Sequence, residues 1–223
     1  MKTIARIHTD LPTKFGLPRQ SGLVEELEGI IIFEPEYRKP EALRGIDGFS
    51  HLWLIWEFSE AKRSSWSPTV RPPRLGGNKR MGVFATRSPF RPNPIGLSCV
   101  KLLGVEKTHD SGLALRVGGA DLMDGTPIYD IKPYLPVADM KPDATGGFAT
   151  ENEGYSVEVV ITPEQLAAIP EKKREALKAI LAQDPRPAYQ DDPNRVYGFG
   201  FAGKEVRFRV ENGVLYVTEI ESI

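Results

Sequence analysis

The chain has 223 residues, of which 40% are apolar and 26% are charged; this balance excludes a mainly disordered protein and fits one large domain or one domain with a small appendage. It contains neither an uncharged apolar run of about 18 residues nor an apolar segment near Met1, so the sequence predicts no transmembrane helix and no signal peptide. A single cysteine and three histidines exclude an internal disulfide, fit a reducing cytoplasm and give no basis for predicting a metal site.

Charge is distributed unevenly along the chain, although the formal net charge is only −1. The segment Ala61–Val105 contains nine basic residues and no aspartate or glutamate, whereas the rest of the chain has twenty basic and thirty acidic residues. Such a split indicates either a local anionic partner or a solvated basic loop whose counter-charges come from neighbouring segments. The charge distribution alone leaves both interpretations open.

The first two thirds of the chain are typical of short strands separated by proline and glycine. The predicted strands are Thr3–Thr9, Gly29–Glu36, Ser50–Phe58, Arg80–Arg87, Ile95–Glu106, Gly112–Val117 and Thr126–Tyr134. Many strands without intervening helices predict a mainly β fold, a sandwich or a barrel, and not a doubly wound sheet. The run Leu52–Trp56 is apolar at every position, which predicts burial on both faces. A helix, the C-terminal part of the chain or another subunit would supply the second cover.

The composition changes between Met140 and Gly154, where a segment rich in glycine, proline and small residues predicts a loop. We therefore predict a boundary there. It separates a β domain of residues 1–150 from a small α+β C-terminal domain of residues 151–223.

The C-terminal part carries its own start and stop patterns. After a predicted strand at Tyr155–Ile161, the run Thr162-Pro163-Glu164-Gln165 fits a capping box that begins a helix. A second helical segment follows at Glu171–Ala182, with apolar residues on one face. Asn212-Gly213 is the favoured two-residue turn of a β-hairpin, so the chain is predicted to close on two paired strands.

Common nucleotide-binding and nucleophile motifs are absent from the sequence. There is no P-loop, no glycine fingerprint of a dinucleotide-binding fold and no G-x-S-x-G. The single Cys99 lies within an apolar strand, where a core role is favoured over a nucleophilic one.

The most specific chemistry-bearing segment is Arg80–Gly96, in which Arg87 and Arg91 are followed by Pro-Asn-Pro. Both guanidinium groups suit a carboxylate or a phosphate, because each presents a planar fork of N–H donors. The flanking prolines stiffen the loop and hold the Asn93 amide in a fixed orientation. The alternative interpretation is a rigid turn with two solvated arginines.

Two further segments gain meaning only if the fold brings them together. Asp124-Gly125 predicts a turn whose backbone N–H groups and carboxylate face one spot, which suits the hydroxyl or amino groups of a small ligand. The alternative is a plain hairpin turn. His51 stands at the edge of the apolar run and is a satisfied core histidine unless the other segments converge on it.

Taken together, the motifs of this chain resemble those of the TsaA-like (TrmO) family of S-adenosylmethionine-dependent tRNA methyltransferases. The resemblance is carried, in this order, by Pro18-Arg19-Gln20, Gly48-Phe49-Ser50-His51-Leu52-Trp53, Arg71-Pro72-Pro73-Arg74-Leu75-Gly76-Gly77, Gly82-Val83-Phe84-Ala85-Thr86-Arg87-Ser88, Phe90-Arg91-Pro92-Asn93-Pro94-Ile95-Gly96, Asp124-Gly125-Thr126-Pro127 and Asp130-Ile131-Lys132-Pro133-Tyr134. It covers residues 1 to about 137 closely, and Leu181-Ala182-Gln183-Asp184-Pro185-Arg186-Pro187-Ala188-Tyr189 matches longer bacterial members. Each motif alone is unspecific, but the ordered set is highly specific.

The resemblance implies a single-sheeted β-barrel that binds S-adenosylmethionine near a homodimer interface in the cytoplasm. The implied reaction is methylation of N6 of the threonylcarbamoylated adenosine at position 37 of tRNA. Carried over by position, the cofactor site comprises Pro18, Arg19, Gln20, His51, Leu52, Arg87, Leu97, Asp124, Gly125, Thr126 and Pro127.

The same resemblance suggests roles for the basic segment and for Asn93. Phosphates of the tRNA anticodon stem-loop are expected to contact Arg71, Arg74, Lys79, Arg80 and Arg91, with Arg186 and Tyr189 from the C-terminal part. By analogy with the Asn/Asp-Pro-Pro-aromatic loop of N6-adenine methyltransferases, Asn93 is the candidate catalytic residue and orients N6. Tyr129, Tyr134 and Tyr189 are candidates for stacking on the base.

Two other classes of function stay open at this point. One is a binding module, in which a β-barrel holds S-adenosylmethionine as a sensor or scaffold. The other is a methyltransferase that acts on a small molecule or a protein, with the basic segment serving as a dimer contact. The C-terminal part likewise either grips tRNA or only completes the fold.

Overall fold

A computed structural model describes residues 1–61, 65–72, 79–110, 112–152, 154–186 and 192–223. The strands of the N-terminal part are β1 (Ala5–Thr9), β2 (Glu28–Phe33), β3 (His51–Glu57), β4 (Thr69–Val70), β5 (Met81–Gly82), β6 (Ile95–Thr108), β7 (Gly112–Gly118) and β8 (Pro127–Pro133). They are followed by helix α1 (Pro136–Asp139), strand β9 (Glu158–Val160), helices α2 (Pro163–Ala167) and α3 (Arg174–Ala182), and strands β10 (Tyr197–Phe201), β11 (Lys204–Glu211) and β12 (Val214–Ser222). Short 3₁₀ helices lie at Pro35–Tyr37, Pro40–Leu43, Ile46–Gly48, Ser59–Ala61, Val83–Ala85, Gly147–Asn152 and Glu171–Lys173.

Six antiparallel strands form the main sheet, in the order β1-β2-β7-β6-β3-β8. The last strand pairs back to the first, since Ala5 lies opposite Ile128 and Arg6 opposite Pro127. Each of the six strands therefore has two hydrogen-bonded neighbours, and the sheet closes on itself. The prediction of a mainly β fold is confirmed.

Strand β3 alternates in burial although its sequence does not alternate in polarity. Leu52 and Leu54 are fully buried in the core enclosed by the closed sheet, and Trp56 is nearly so. Trp53 and Ile55 point outward and are only half-buried. Helix α1 covers part of this outward face, because Trp53 Nε1 donates to Asp139 Oδ2 at 3.0 Å. Within one chain the predicted burial on both faces is thus only partial.

The predicted strand Arg80–Arg87 is wrong over most of its length. Only Met81–Gly82 pairs with another strand, β4, and Val83–Ala85 is a 3₁₀ helix. The reason is that Val83 alone of this stretch is buried, while Phe84 is 75% exposed. A longer strand needs further apolar positions to bury and a longer partner, and β4 has only two residues.

The C-terminal part begins as its sequence predicts. Gln165 N donates to Thr162 Oγ1 at 3.2 Å, and Thr162 N donates to Gln165 Oε1 at 2.9 Å, so the capping box is confirmed. The hairpin turn is confirmed as well, since Asn212 and Gly213 both have positive φ, 51° and 78°. The strand predicted at Tyr155–Ile161 is shorter and pairs in parallel with β12.

Residues from the N-terminal part contribute to the core of the C-terminal sheet. Leu11, Val24 and Leu27 are buried in the cluster formed by α3 and strands β10–β12. Lys173 Nζ also contacts Asp10 Oδ1 at 2.5 Å. The segment from Leu11 to Leu27, which carries Pro18, Arg19 and Gln20, is consequently fastened to both parts of the molecule. The division at residue 150 stays a prediction.

In the described part of the chain, no helix is long and apolar enough to cross a membrane.

Candidate cofactor site and nucleic-acid groove

An open groove of about 2370 Å³ lies between three parts of the chain. These parts are the segment of Lys14 to Gln20, the loops between Ala61 and Pro94, and the C-terminal stretches around Phe148 and Arg186. We call it the basic groove, because its described lining includes Lys14, Arg19, Arg71, Arg80, Arg87, Arg91 and Arg186. Glu57 is the sole acidic residue among those described lining residues. A surface of this charge attracts a polyanion.

Arg87 connects two of the three parts of the chain that line the basic groove. Its guanidinium donates to Gln20 Oε1, and the side chain is otherwise exposed. Arg19, next to Gln20, donates from Nη2 to the Asp184 carbonyl at 3.0 Å. Three predicted cofactor residues, Arg19, Gln20 and Arg87, are therefore brought together as the sequence motifs suggested.

A polar chain anchors this group to the main sheet. Trp56 Nε1 donates to Ser98 Oγ at 2.9 Å, and Ser98 Oγ donates to Asp121 Oδ1 at 2.6 Å. Burial raises the pKa of the Asp121 carboxyl, while the Ser98 hydrogen bond and the charge of Arg87 act in the opposite direction. Ser21 Oγ accepts from Cys99 N at 3.1 Å. The start of β6 is thereby bonded to the cofactor segment instead of to a neighbouring strand on that side.

The loop after Arg87 is held by its own backbone. Arg91 Nη1 donates to the Thr86 and Ser88 carbonyls at 2.9 and 3.4 Å, so part of its donor set is used within the loop. Ile95 N donates to the Asn93 carbonyl at 2.7 Å. The Asn93 side chain is exposed between Pro92 and Pro94, which both line the basic groove. The loop backbone is therefore held in place, whereas no hydrogen bond among the described residues fixes the Asn93 amide as predicted.

The Asp124 turn is built differently from the prediction. The N–H groups of Asp124, Gly125 and Thr126 donate to the carbonyls of Leu11, Ile7 and Met123 at 2.8, 2.8 and 3.2 Å. The expectation that these N–H groups face a ligand is therefore wrong, because they already fasten the turn to β1 and to itself.

What the turn does present is the Asp124 carboxylate. Oδ1 of Asp124 accepts from Thr9 N at 3.1 Å and lies 3.2 Å from His8 Nδ1, and the side chain is 46% exposed. Thr126 and Pro127 are buried, and the Thr126 hydroxyl donates to the Met123 carbonyl. Of the four predicted residues, Asp124 is the one with an exposed polar side chain.

The remaining predicted cofactor residues lie on β3 and β6. Leu97 is 52% exposed on the outward face of β6, two residues before Cys99, whose N–H binds Ser21. Leu97 is not among the described lining residues of the basic groove, which include Arg19 and Gln20. His51 is bonded to Ser50 and packs edge-on against Tyr134 at 6.3 Å. Leu52 is fully buried and lies opposite Val100 and Pro133 within the sheet, so its side chain is not available to a cofactor.

Arg186 is held in a nearly buried ion pair, which argues against the phosphate-gripping role predicted for it. Its Nε and Nη2 donate to both carboxylate oxygens of Asp184 at 2.9 Å, and the two side chains are 11% and 8% exposed. Tyr155 Oη donates to the same carboxylate at 3.0 Å. Burial alone would raise the pKa of Asp184, but the hydrogen bonds and charge of Arg186, with the Tyr155 hydroxyl, hold it below the ordinary value.

Some predicted residues fall elsewhere. Arg74 and Tyr189 lie outside the described residues. Lys79 is exposed beside Arg80. Tyr129 is hydrogen-bonded to Glu57, and burial followed by this bond raises the pKa of Tyr129 to about 12. Neither Tyr129 nor Tyr134 is among the described lining residues of the basic groove.

Sequence reasoning assigned no role to the five aromatic residues among the described lining of the basic groove: Phe15, Trp66, Phe84, Phe90 and Phe148. Trp66, Phe84 and Phe90 are exposed. Phe84 and Phe90 stand within motifs quoted for the resemblance. Phe84 also lies in the predicted strand Arg80–Arg87, where an apolar residue indicates a core position, and only the fold decides that it is exposed.

The side chains collected here fit S-adenosylmethionine in kind. Arg87 offers N–H donors for a carboxylate, the Asp124 carboxylate suits an amino or hydroxyl group, and exposed Leu97 suits an aromatic ring. In the described part of the chain no group of three or more His, Cys, Asp or Glu side chains could hold a metal ion.

Comparisons with known proteins agree over nearly the whole chain. Residues 6–140 match the model of the tRNA-methyltransferase O N-terminal domain, and residues 155–223 match that of the TrmO C-terminal domain. The tRNA (adenine(37)-N6)-methyltransferase of Escherichia coli K12 is 42% identical over 226 residues, covering 98% of this chain and 96% of the relative. A putative S-adenosylmethionine-dependent methyltransferase of Pseudomonas aeruginosa is 42% identical over 202 residues, 87% of this chain and 85% of the relative.

A solved structure extends the agreement from sequence to fold. The crystal structure of TrmO from Pseudomonas aeruginosa is 32% identical and superimposes with a TM-score of 0.79, covering 99% of this chain and 97% of that one. The covered part of the chain includes both the closed sheet and the C-terminal sheet. The chain belongs to the tRNA-methyltransferase O family.

Proposed function

We propose that this protein is an S-adenosylmethionine-dependent methyltransferase that methylates N6 of the adenine at position 37 of tRNA. The observation that carries the proposal is end-to-end similarity to a relative named for that reaction. The basic groove supports it, because a methyltransferase that acts on tRNA needs a surface for phosphates beside its cofactor site. Arg87 belongs to both, since it lines the groove and binds Gln20.

S-adenosylmethionine, when bound, supplies an electrophilic methyl group on a cationic sulfur. The chain's own residues then have to bind and orient. Arg87 and Arg19 suit the carboxylate end of the cofactor, away from the cationic sulfur, because like charges repel. The Asp124 carboxylate suits an amino or ribose hydroxyl group, and Leu97 suits the adenine ring. These assignments follow the donor set of each side chain.

Asn93 is the residue we propose to orient the acceptor. The N6 of the substrate must lose its proton as it is methylated, so an oxygen that accepts a hydrogen bond from it holds its lone pair toward the methyl group. The Asn93 side chain is exposed and bonds to no other described residue, and its loop is fixed through the Asn93 and Pro94 carbonyls. The fixed loop backbone places the Asn93 amide oxygen within a small region, and an amide oxygen orients N6 without carrying charge.

The finer substrate is the adenosine that bears a threonylcarbamoyl group, within the anticodon stem-loop. Phosphates of the stem-loop suit the exposed Arg71 and Arg80 in the groove and Lys79 beside it. The target base lies in an unpaired loop, so it enters a pocket without the cost of opening a duplex.

We further propose that the closed sheet is a single-sheeted barrel and that the protein is a cytoplasmic homodimer. The two copies would associate through the outward face of β3 and β6. Trp53 and Ile55 are half-buried there and Leu97 is 52% exposed. An apolar face of this kind favours cover by another protein surface. We also propose that residues 1–150 and 151–223 form two domains.

The decisive experiment measures transfer of a labelled methyl group from S-adenosylmethionine to tRNA with and without the threonylcarbamoyl group at position 37. We expect incorporation into the modified tRNA only. Incorporation into both tRNAs would support the proposed methyltransferase activity and contradict the requirement for the threonylcarbamoyl group. If the cofactor binds and no tRNA is labelled, the protein is a sensor or acts on another acceptor.

Asn93→Ala tests the proposed role of that residue in the same assay. Turnover should fall by about a hundredfold while the dissociation constant of S-adenosylmethionine stays within about twofold, since loss of positioning affects the reaction and not cofactor binding. Asn93→Asp keeps an oxygen acceptor and should retain part of the activity. A parallel loss of cofactor binding and turnover would contradict the assignment.

A further inference from the structure

Two large aromatic side chains stand in the basic groove without a core to bury them. Trp66 is 53% exposed and Phe84 is 75% exposed. Their ring centroids lie 6.3 Å apart with planes inclined by 32°, so the two rings form one continuous aromatic surface. A paired, exposed aromatic surface is a feature of interaction sites, not of ordinary solvated surface.

The local fold holds this surface in place. Phe84 lies in the 3₁₀ helix Val83–Ala85, and the neighbouring Val83 is only 1% exposed. Val83 N donates to the Pro68 carbonyl at 2.9 Å, which ties the helix to the chain two residues after Trp66. Thr86 Oγ1 closes the other side by donating to the Val83 carbonyl at 2.9 Å. Both rings thus lie beside the short two-stranded ribbon of β4 and β5, whose flanking segments are joined by hydrogen bonds.

Cationic groups flank the ribbon. Arg80 Nη1 donates to Thr69 Oγ1 at 3.0 Å and so stays on the ribbon, and Arg71 follows β4 directly. Arg87 comes three residues after Phe84 and binds Gln20. Aromatic faces beside guanidinium groups are the combination that binds single-stranded nucleic acid: the rings stack on bases, and the cations contact phosphates. A paired stem offers only its phosphates to such a surface, because its bases are already stacked.

We propose that Trp66 and Phe84 form a stacking platform for unpaired nucleotides of an RNA loop. The chemistry of the ligand, an unpaired base with its phosphate, is inferred from the platform itself. Its identification as nucleotides flanking the target adenosine of the anticodon loop rests on the proposed function. The place of Phe84 close to Arg87 puts the stacked bases beside the cofactor segment.

The test compares substitutions that keep the aromatic face with substitutions that keep only apolar bulk. Phe84→Tyr and Trp66→Phe retain a stacking face, whereas Phe84→Leu and Trp66→Leu do not. The measured quantity is the dissociation constant of an anticodon stem-loop RNA, set beside that of the same stem closed as a fully paired duplex. We expect the leucine variants to bind the loop RNA roughly tenfold more weakly, with the aromatic variants within about twofold of the parent. Affinity for the duplex should change little in all four.

Tryptophan fluorescence gives a second, independent measurement. The chain has three tryptophans, and Trp56 is buried. Stacking on a base should quench emission from Trp66, so the loop RNA should lower the fluorescence of the parent protein and much less that of Trp66→Phe. Tyr216→Leu is the matched control, because Tyr216 is stacked on Arg209 in the C-terminal sheet and is not among the described lining residues of the groove. It should leave RNA affinity unchanged.

Two results would overturn the proposal. One is unchanged loop affinity in both leucine variants. The other is a loss of self-association in the leucine variants with RNA affinity intact, which would assign the rings to a contact between copies of the chain. If the loop RNA binds and quenches Trp66 but no tRNA accepts a methyl group, the platform stands and the proposed function fails. The two hypotheses are therefore separately testable.

Discussion

The closed sheet and the loops of residues 65–94 make opposite use of the same kinds of residue. In the sheet, Leu52 and Leu54 are fully buried, and each of its six strands is bonded to two others. In the loops, Val83 is the one buried residue among those described, and Phe84 next to it is 75% exposed. Apolar side chains stabilise the first region, whereas in the second they face the basic groove.

This difference shows how the molecule separates stability from binding. Regular pairing satisfies the backbone of the sheet, so its side chains are free to form a core. The loops are held at few points, by Val83, by the short ribbon of β4 and β5, and by Arg87 on Gln20. Binding residues on loops that a rigid scaffold positions are a common arrangement. Substitutions in the two regions should therefore affect different measurements.

The largest effect on stability is expected from the sheet. Leu54→Ala should lower the free energy of unfolding by about 3 kcal/mol, because it removes a fully buried side chain and leaves a cavity. Phe84→Ala should change it by less than about 0.5 kcal/mol. Urea denaturation of both variants measures the contrast. Equal losses would remove the distinction between the two regions.

The nearly buried ion pair between Asp184 and Arg186 should come next. Asp184→Asn should lower the free energy of unfolding by about 2 kcal/mol at neutral pH, since Arg186 is left with a weaker partner in a nearly buried site. The pKa of Asp184 is lowered in the folded protein, so its stabilisation is complete above the unfolded value of roughly 4 and is lost as pH falls through the folded value.

The difference in free energy of unfolding between the parent and Asp184→Asn should thus disappear below about pH 4. Thermal unfolding over a range of pH measures this difference. Asp110→Asn is the matched control, because the Asp110 side chain is 92% exposed. A gap that persists at low pH would exclude ionisation of Asp184 as the cause.

In the loops, the expected effect is on binding. Arg87→Ala should raise the dissociation constant of S-adenosylmethionine about thirtyfold through loss of charge-assisted hydrogen bonds. The dissociation constant of Arg87→Lys should lie between those of the parent and Arg87→Ala, because the lysine ammonium is a point charge in place of the planar guanidinium group. Titration calorimetry measures it, with Arg44→Ala as a control on an exposed arginine away from the described groove residues. Unchanged affinity in Arg87→Ala would transfer the carboxylate contact to another residue.

The smallest effect is expected from a single phosphate contact. Arg80→Ala should weaken tRNA binding about threefold and reduce the slope of log affinity against log salt by about 1. Filter binding over a range of salt concentrations gives both quantities. A change in affinity with no change in slope would mean that Arg80 acts through Thr69 and the ribbon rather than on a phosphate.

Local patterns predicted local structure well. The capping box at Thr162 and the turn at Asn212-Gly213 lie where the sequence indicated. Both are decided by neighbouring residues alone, through side-chain capping and positive φ. The resemblance only named Arg87 and Gln20 in one cofactor set, and the structure shows that the two are in contact.

The failures have one physical origin. A strand was expected at Arg80–Arg87 because its residues have β propensity, yet no long partner strand lies beside it. Free N–H groups were expected at Asp124, yet β1 and Leu11 supply carbonyls for two of them. Arg186 was expected at phosphates, yet Asp184 two residues earlier binds it. In each case the partner of a group, and not its residue type, decides what the group can do.

The sequence by itself determined the mainly β class, the concentration of positive charge and the residues of the family motifs, because composition and short-range spacing carry this information. Only the tertiary structure decided that the sheet closes between β8 and β1, that Leu11, Val24 and Leu27 stabilise the C-terminal core, and that Trp66 and Phe84 are exposed together. Burial and contact partners depend on residues that are far apart in the chain, so they are decided by the fold as a whole.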